Sequence, residues 1–373
     1  MRPQHIAAAL AGVGVAIAIA ATALLWSSRA HRPLVARAAV APRPPAPTLN
    51  VAAYNAKMRA LANVPPCAPP ARLQSHAARP KVRRVEATLT LPKPVLPACP
   101  PALWPVHTVI PDAGALLPFK RIVAYYGNFY SPRMGVLGEY PPAEVLARLQ
   151  ATAAAWAKAD PSTPVVPAID YIAVAAQDVP GPDGQYRMRM PASQIEKALG
   201  MANQIHGLLF LDVQPGWSTV ETEVPRLAKY LELPNVELAL DPEFALPSGK
   251  RPGVWRGTLS AADINFAARF LAQIVRQNHL PPKILVVHRF TQRMVTDYRA
   301  IRPLPQVEIV MDMDGFGAQP LKVSTYKDFI ATQPVQFTGF KLFYKNDVKL
   351  GGRLMTPQEI LRLSPQPSYI LYQ

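Results

Sequence analysis

From Arg121 onward, short apolar runs rich in β-branched and aromatic residues return at intervals, with helical patterns between them. RIVAYYG (121–127), PVVPAIDYIAV (164–174), LLFLDVQ (208–214) and VELALDPEF (236–244) come first. KILVVHRF (283–290), VEIVMDMDGFG (307–317), FTGFKLFY (337–344) and SYILYQ (368–373) follow, making eight candidate strands. Between them, EVLARLQATAAAWAKA sets Val145, Leu146, Leu149, Ala153 and Trp156 on one helical face. SQIEKALGMANQIHG has Ser193 as a cap, Glu196 three residues on and a stop at Gly207. TVETEVPRLAKYLEL and SAADINFAARFLAQIVRQ repeat the arrangement, the second with Phe266, Phe270, Leu271 and Ile274 at helical spacing. Strand starts lie about 24 to 47 residues apart, the size of βα units. Eight such units predict an α/β chain with a (β/α)8, or TIM, barrel over residues 118–373. An open doubly wound sheet is the competing arrangement, and no Gly-rich βα turn supports it. The eighth strand is the last element, so part of 100–118 is expected to cover the face that a final helix would cover.

The residues before the barrel read differently. The chain of 373 residues carries a net charge of +16, which brings nucleic acid to mind. The charge is concentrated, however: residues 1–117 hold 13 Lys/Arg against Glu86 and Asp112 (+11), and the rest hold 27 against 22 (+5). No basic-aromatic recognition module accompanies it, so no nucleic-acid partner is expected and no protein partner is evident. Ile6–Trp26 is uncharged and 21 residues long. A helix of roughly 20 apolar residues crosses a bilayer, so 1–30 is expected to be a transmembrane anchor with the lipid bilayer as its partner. Cleavage as a signal peptide at Ala36-Arg37-Ala38 is the alternative. Nineteen of the 43 prolines fall in the first 118 residues, which marks 31–117 as a semi-rigid basic linker. Cys67 and Cys99 lie within it and form a candidate disulfide in an oxidising compartment. Linker and cysteines place the barrel outside the cytoplasm, periplasmic or at the cell surface, and secreted if the segment is cleaved. Arg29, Arg32 and Arg37 after the apolar run, against Arg2 before it, argue for the opposite orientation.

Active sites in such barrels gather at the C-terminal ends of the strands. Here those ends are polar: Asp170 on strand two, Asp212 and Gln214 on three, Asp241 and Glu243 on four, His288 on five, Asp312 and Asp314 on six, Lys341 and Tyr344 on seven. Strand alternation turns Asp241 and Glu243 to one side, as it does Asp212 with Gln214 and Asp312 with Asp314. A lone strand-end acid more often caps a helix or pairs with a loop arginine such as Arg251, Arg256 or Arg289. Acids on four ends of one rim predict a site. Glycoside hydrolysis needs two carboxyl groups, one held protonated, and a neighbouring carboxylate raises its partner's pKa. A sugar ring also packs on aromatic faces, and Tyr126, Trp217, Trp255 and Tyr344 lie at or just beyond strand ends.

LALDPEF resembles the D-x-E strand-four ending of barrel lysozymes (glycoside hydrolase family 25) and barrel chitinases (family 18). The resemblance implies Glu243 as general acid and Asp241 as its tuning partner. The longer D-x-x-D-x-D-x-E run of the chitinases is absent, and strand one ends in YYGN where the lysozymes carry an acid. The second catalytic carboxylate is expected across the barrel at Asp312, with Asp212 next. Asp170, Gln214, Trp217, Trp255, His288, Asp314, Lys341, Tyr344 and Tyr126 are the expected substrate-binding residues. The function expected is hydrolysis of a cell-wall or extracellular polysaccharide, with no cofactor and no metal. A non-catalytic glycan- or protein-binding barrel is one alternative. A metal-dependent hydrolase using the rim carboxylates as oxygen ligands is another.

Overall fold

A computed structural model of the chain describes residues 48–64, 102–349 and 352–373. The apolar segment 6–26 and both cysteines lie outside the described residues. Among those described, no helix is long and apolar enough to cross a membrane.

Eight parallel strands close on themselves: β1 (Arg121–Gly127), β2 (Val165–Ala176), β3 (Leu208–Val213), β4 (Val236–Leu240), β5 (Lys283–Arg289), β6 (Val307–Met313), β7 (Phe337–Leu342) and β8 (Tyr369–Tyr372). Each pairs with the next, and β1 closes the circle by pairing with both β2 and β8. The (β/α)8 barrel is therefore present, and the open sheet is not. The strands are buried along nearly their whole length, as their uninterrupted apolar runs require. A short strand, Arg187–Arg189, adds an antiparallel hairpin partner to the far end of β2.

Helices α1 (Val51–Ala62), α2 (Pro142–Ala159), α3 (Ala192–Gln204), α4 (Ala261–Asn278) and α5 (Gln319–Tyr326) are the longer ones among the described residues. Helix α2 buries Val145, Leu146, Leu149 and Trp156, the expected face. Helix α4 starts with a full capping box between Ser260 and Asp263 and buries Ile264, Ala267, Ala268 and Leu271. Two local expectations are corrected. Helix α3 begins after Pro191 without a side-chain cap, because proline's fixed φ already suits a helix start and Ser193 falls inside the first turn. The stretch 220–231 breaks into short helical and 3-10 pieces around Pro225, which has no N–H to continue the ladder.

The packed unit reaches further towards the N-terminus than residue 118 and takes in the described residues 48–64 and 102–117. Helix α1 buries Tyr54, Met58 and Ala62, and its end is tied to the segment before β8 by Gln366 N–H donating to the Leu61 carbonyl at 2.7 Å. Trp104 is buried and donates from Nε1 to the Ala331 carbonyl at 2.7 Å. Residues 48–64 and 102–117, expected to be linker, thus pack against the N-terminal end of the barrel. That closed end holds its own buried acid: Glu308 accepts from the N–H groups of Leu116 and Leu117 at 3.0 and 2.7 Å. The opposite, C-terminal end stays open.

Candidate active site

Register and alternation decide which polar groups face inward. His288 of β5 stands beside Asp312 of β6, and Asp312 stands beside Gly339 of β7. Gly339 has no side chain for a reason: a Cβ there would lie 2.5 Å from Asp312 Oδ1. Strand β4 stops at Leu240, and Asp241 caps a 3-10 turn, Pro242–Phe244, by accepting from the Glu243 N–H at 3.1 Å. Strand alternation therefore no longer governs Glu243. The turn, not the pleat, carries it to the edge of the barrel mouth, where its side chain is 31% exposed.

The inward groups form two layers. In the deeper one, Asp170, Asp212, His288 and Asp312 are fully buried. Tyr369 donates to Asp170 at 2.5 Å, Tyr126 donates to Asp212 at 2.6 Å, and His288 Nδ1 lies 3.0 Å from Asp312 Oδ2. The upper layer lines a cavity of about 400 Å³ at the C-terminal mouth. Tyr126, Gln214, Asp241, Glu243, Asp314 and Lys341 face it. Lys341 Nζ pairs with Asp314 Oδ1 at 2.9 Å and lies 3.8 Å from the centre of the Tyr126 ring. Gln214 Nε2 donates to Tyr126 Oη and to Asp241 Oδ2, each at 3.2 Å.

Two cations, His288 and Lys341, face six carboxyl groups in this lumen, and burial first, with the neighbouring carboxylates adding, raises the pKa of Asp170, Asp212, Asp241, Glu243 and Asp312. Burial, then the Asp212 charge, lifts Asp170 to about 8. Burial and Asp212 likewise push Asp241 well above the usual carboxylate range. Glu243 rises to about 7, through burial first and the Asp314 carboxylate second, with Lys341 and Arg256 opposing. Asp314, rather than the expected Asp241, is thus the leading charge acting on Glu243. Burial by itself would lower the His288 pKa, but the Asp312 hydrogen bond and the Asp212 and Asp314 charges hold it up at about 10. The ring is therefore an imidazolium at neutral pH, fixed under the cavity floor.

The expected site residues divide accordingly. Glu243, Asp241, Gln214, Asp314, Lys341 and Tyr126 come together around the cavity. Asp312 and Asp212, expected to supply the second catalytic carboxylate, lie beneath the floor with Asp170 and His288 and do not line it. Inward-facing strand positions stack in layers, and alternation alone does not say which layer reaches the opening. Trp217 packs on Tyr186 with centroids 4.1 Å apart, donates to the Lys250 carbonyl, and lies outside the cavity. Tyr344 lies past the end of β7, bonded to Tyr125 Oη at 2.9 Å and stacked on Tyr372. Trp255 is 51% exposed and lines a second cavity that adjoins the first at Glu243 and Arg256. Among the described residues, no group of three or more His, Cys, Asp or Glu side chains is disposed to hold a metal ion. Lys341 and His288 stand between the carboxylates instead.

No family model matches the chain, and no curated protein does. The likeness of LALDPEF to family 25 lysozymes and family 18 chitinases therefore stays a local one. Among solved structures, the chain is similar to a Bacillus subtilis mannanase at 13% identity and a TM-score of 0.37, over 71% of this chain and 88% of that one. GH26C from Muricauda sp. MAR_2010_75 matches at 11% identity and a TM-score of 0.28, over 67% of this chain and 70% of that one. A tryptophan synthase from M. tuberculosis matches at 12% and 0.29, over 68% of this chain and 82% of that one. Similarity this low, shared across unlike chemistries, says nothing about the reaction, which has to be read from the site.

Several lining residues are not among those expected from the sequence. Arg133, in the loop after β1, and Phe290, Asn346 and Gln373, just past the ends of β5, β7 and β8, all face the cavity. For the last three the signal was positional: residues immediately after a barrel strand end at the rim. Arg133 and Arg256 arrive on loops whose course no short-range pattern specifies.

Proposed function

We propose that this chain is a glycoside hydrolase acting on a polysaccharide of the cell envelope or its surroundings. Glu243 acts as the general acid and Asp314 as the second carboxylate. The observation that carries this reading is Glu243 at the open mouth of the barrel, raised to about 7, in the same cavity as Asp314 and Lys341. A carboxyl group with that pKa is partly protonated at neutral pH, as a general acid must be. Glu243 gives its proton to the glycosidic oxygen as the bond from that oxygen to the anomeric carbon breaks. The Asp314 carboxylate either bonds the anomeric carbon or takes a proton from the attacking water. Lys341 positions Asp314, while Gln214 donates to Asp241 and is itself placed against Tyr126, which holds Asp212. The fully buried Asp170, Asp212, Asp312 and His288 act through these groups, not on the sugar.

We place the enzyme on a membrane, with Ile6–Trp26 as anchor and the barrel outside the cytoplasm. The uncharged apolar run and the proline-rich stretch after it support this placement. The test of function incubates the protein in detergent micelles with purified envelope polysaccharides, peptidoglycan included, in EDTA, and follows new reducing ends. Turnover by the wild type and none by Glu243→Gln or Asp314→Asn is the expected result. Turnover that needs added divalent metal would assign the carboxylates to a metal. Binding by both forms without turnover would leave a glycan-binding barrel.

A further inference from the structure

The central cavity is part of a longer trough. It shares Glu243 and Arg256 with the neighbouring cavity of about 660 Å³, which runs out to Trp255 and Arg293. On the other side it shares Arg133, Phe343, Asn346 and Gln373 with a third, of about 300 Å³, which runs out to Lys345 and Lys349. The three therefore form one trough across the barrel mouth, with Glu243 and Asp314 in its middle section.

The charge along this trough is ordered. The carboxyl groups of the middle are buried or half-buried in its floor. On the walls beyond them, the exposed charged groups are Arg256 and Arg293 on one flank and Arg133, Lys345 and Lys349 on the other. Glu139 is the one wall carboxylate among the lining residues, and it is engaged by Lys345. Arg256 Nε approaches Glu243 Oε1 only at 4.0 Å, and Arg133, Arg293 and Lys349 meet no carboxylate among the described residues. The general basicity of the chain does not account for this, since residues 118–373 carry 27 Lys/Arg against 22 Asp/Glu. An arginine fork that has no acidic partner matches a carboxylate or sulfate in two parallel hydrogen bonds. Trp255, 51% exposed at one end of the trough, and Phe316, 59% exposed at its centre, offer apolar faces for sugar rings.

Resting on the glycosidase reading of the same site, we infer that the substrate is an acidic polysaccharide. Its carboxylate or sulfate groups pair with Arg256 and Arg293 on one side of the cleaved bond and with Arg133 and Lys349 on the other. A neutral glycan would leave these side chains in water.

The test uses the full chain in detergent micelles with a panel of polyuronates of different backbones, each beside its own carboxyl-reduced, uncharged counterpart, and with sulfated dextran beside dextran. Binding is measured by calorimetry, and cleavage by reducing-end release, for the wild type and for an Arg133→Ser/Arg293→Ser double variant. Both arginines are exposed, so the variant keeps the fold, which circular dichroism verifies. At least one charged polymer is expected to bind about tenfold tighter than its uncharged counterpart, from four exposed ion pairs of roughly twofold or a little less each. The preference should shrink in the double variant and in high salt, where the screening length falls to about 3 Å at 1 M. A preference for uronates over sulfated dextran would assign the groups as carboxylates, and the reverse as sulfates. Equal or better binding of the uncharged forms, or a preference undiminished by loss of both arginines, would overturn the inference. The two readings fail separately. Glu243-dependent cleavage of neutral glycans alone would keep the glycosidase and discard the acidic substrate. Arginine-dependent binding of acidic glycans with no cleavage would keep the trough and discard the glycosidase.

Discussion

Glu308 sits at the closed end of the barrel, far from the open mouth, which makes it a clean probe of what the buried acids do to stability. Burial lifts its carboxyl from 4.5 to about 8, against the lowering by the Leu116 and Leu117 N–H donors and with the Glu237 charge adding to the rise. In the unfolded chain the same group ionises near 4.5. The unfolded state therefore releases its proton first, and stability must fall as pH climbs from about 4.5 towards 8. At about 1.36 kcal/mol per pKa unit, the loss attributable to Glu308 between pH 5 and pH 8 is roughly 3–4 kcal/mol. Glu308→Gln keeps the shape and an acceptor for one of the two backbone donors while removing the ionisation, so any constant loss from the other donor shifts the whole curve and leaves its pH slope to report Glu308. Urea unfolding of both proteins at pH 5, 6, 7 and 8, followed by circular dichroism, measures the difference. Asp170, raised to about 8, remains in both proteins and cancels, as does Glu237, raised to about 7, apart from its charge on Glu308. Tyr54, raised to about 12, stays protonated throughout. The variant should gain on the wild type by roughly 3 kcal/mol across the range. Parallel stability curves for the two proteins would refute the reasoning, because they would mean Glu308 is ionised at similar pH whether folded or not.

Three other outcomes are expected. Gly339→Ala forces a Cβ against Asp312 Oδ1 and should destabilise by roughly 1–3 kcal/mol, read as a lower midpoint in thermal unfolding; an unchanged midpoint would mean that β7 yields freely. Lys341→Met leaves the buried Asp314 without its 2.9 Å partner, so unfolding at pH 7 should be easier by roughly 3–5 kcal/mol, and a neutral effect would show that the pair is not needed to hold the carboxylate. Asp314→Asn removes the leading charge that raises Glu243, so the Glu243 carboxyl should titrate below its value of about 7 by carbon NMR, and an unmoved titration would return the cause to burial alone.

The barrel was legible because its signal is repeated. Each strand is an apolar run buried on both faces, and eight runs at βα spacing leave little else to fold into. Strand limits moved by at most four residues, at β6, which ends at Met313, and at β4, where Pro242 ends the strand and starts a 3-10 turn. The role of residues 51–62 was hidden by their setting. Helix α1 is flanked by proline-rich sequence, and its buried face of Tyr54, Met58 and Ala62 is too short to show a strong period. Its local signals are only the Asn50 cap, which accepts from the Ala53 N–H, and Asn63 at its left-handed end; the rest of its order comes from docking on the barrel end, which is tertiary.

Depth was the property that the sequence withheld at the site. D-x-D in VMDMDGFG and D-x-Q in LLFLDVQ each contain one residue below the floor and one on it: Asp312 beneath Asp314, and Asp212 beneath Gln214. Two residues along a strand is about 6.6 Å, enough to separate a group that touches substrate from one that only polarises it. The deeper layer carries a cost that packing does not explain. Asp170 Oδ1, Asp212 Oδ1, Asp312 Oδ1 and His288 Nε2 are buried without a hydrogen-bond partner. Filling the same space with apolar side chains would remove those penalties. A fold that keeps an imidazolium and three acids under the floor is therefore not maximising stability. That layer contributes to the field at the mouth, where His288 acts on the half-buried Glu243 and Asp212 and His288 act on Asp241. If the layer exists for that purpose, replacing His288 and Asp312 together by Leu and Val should leave the barrel folded while lowering turnover and shifting its alkaline limb, whereas unchanged kinetics would reduce the layer to packing.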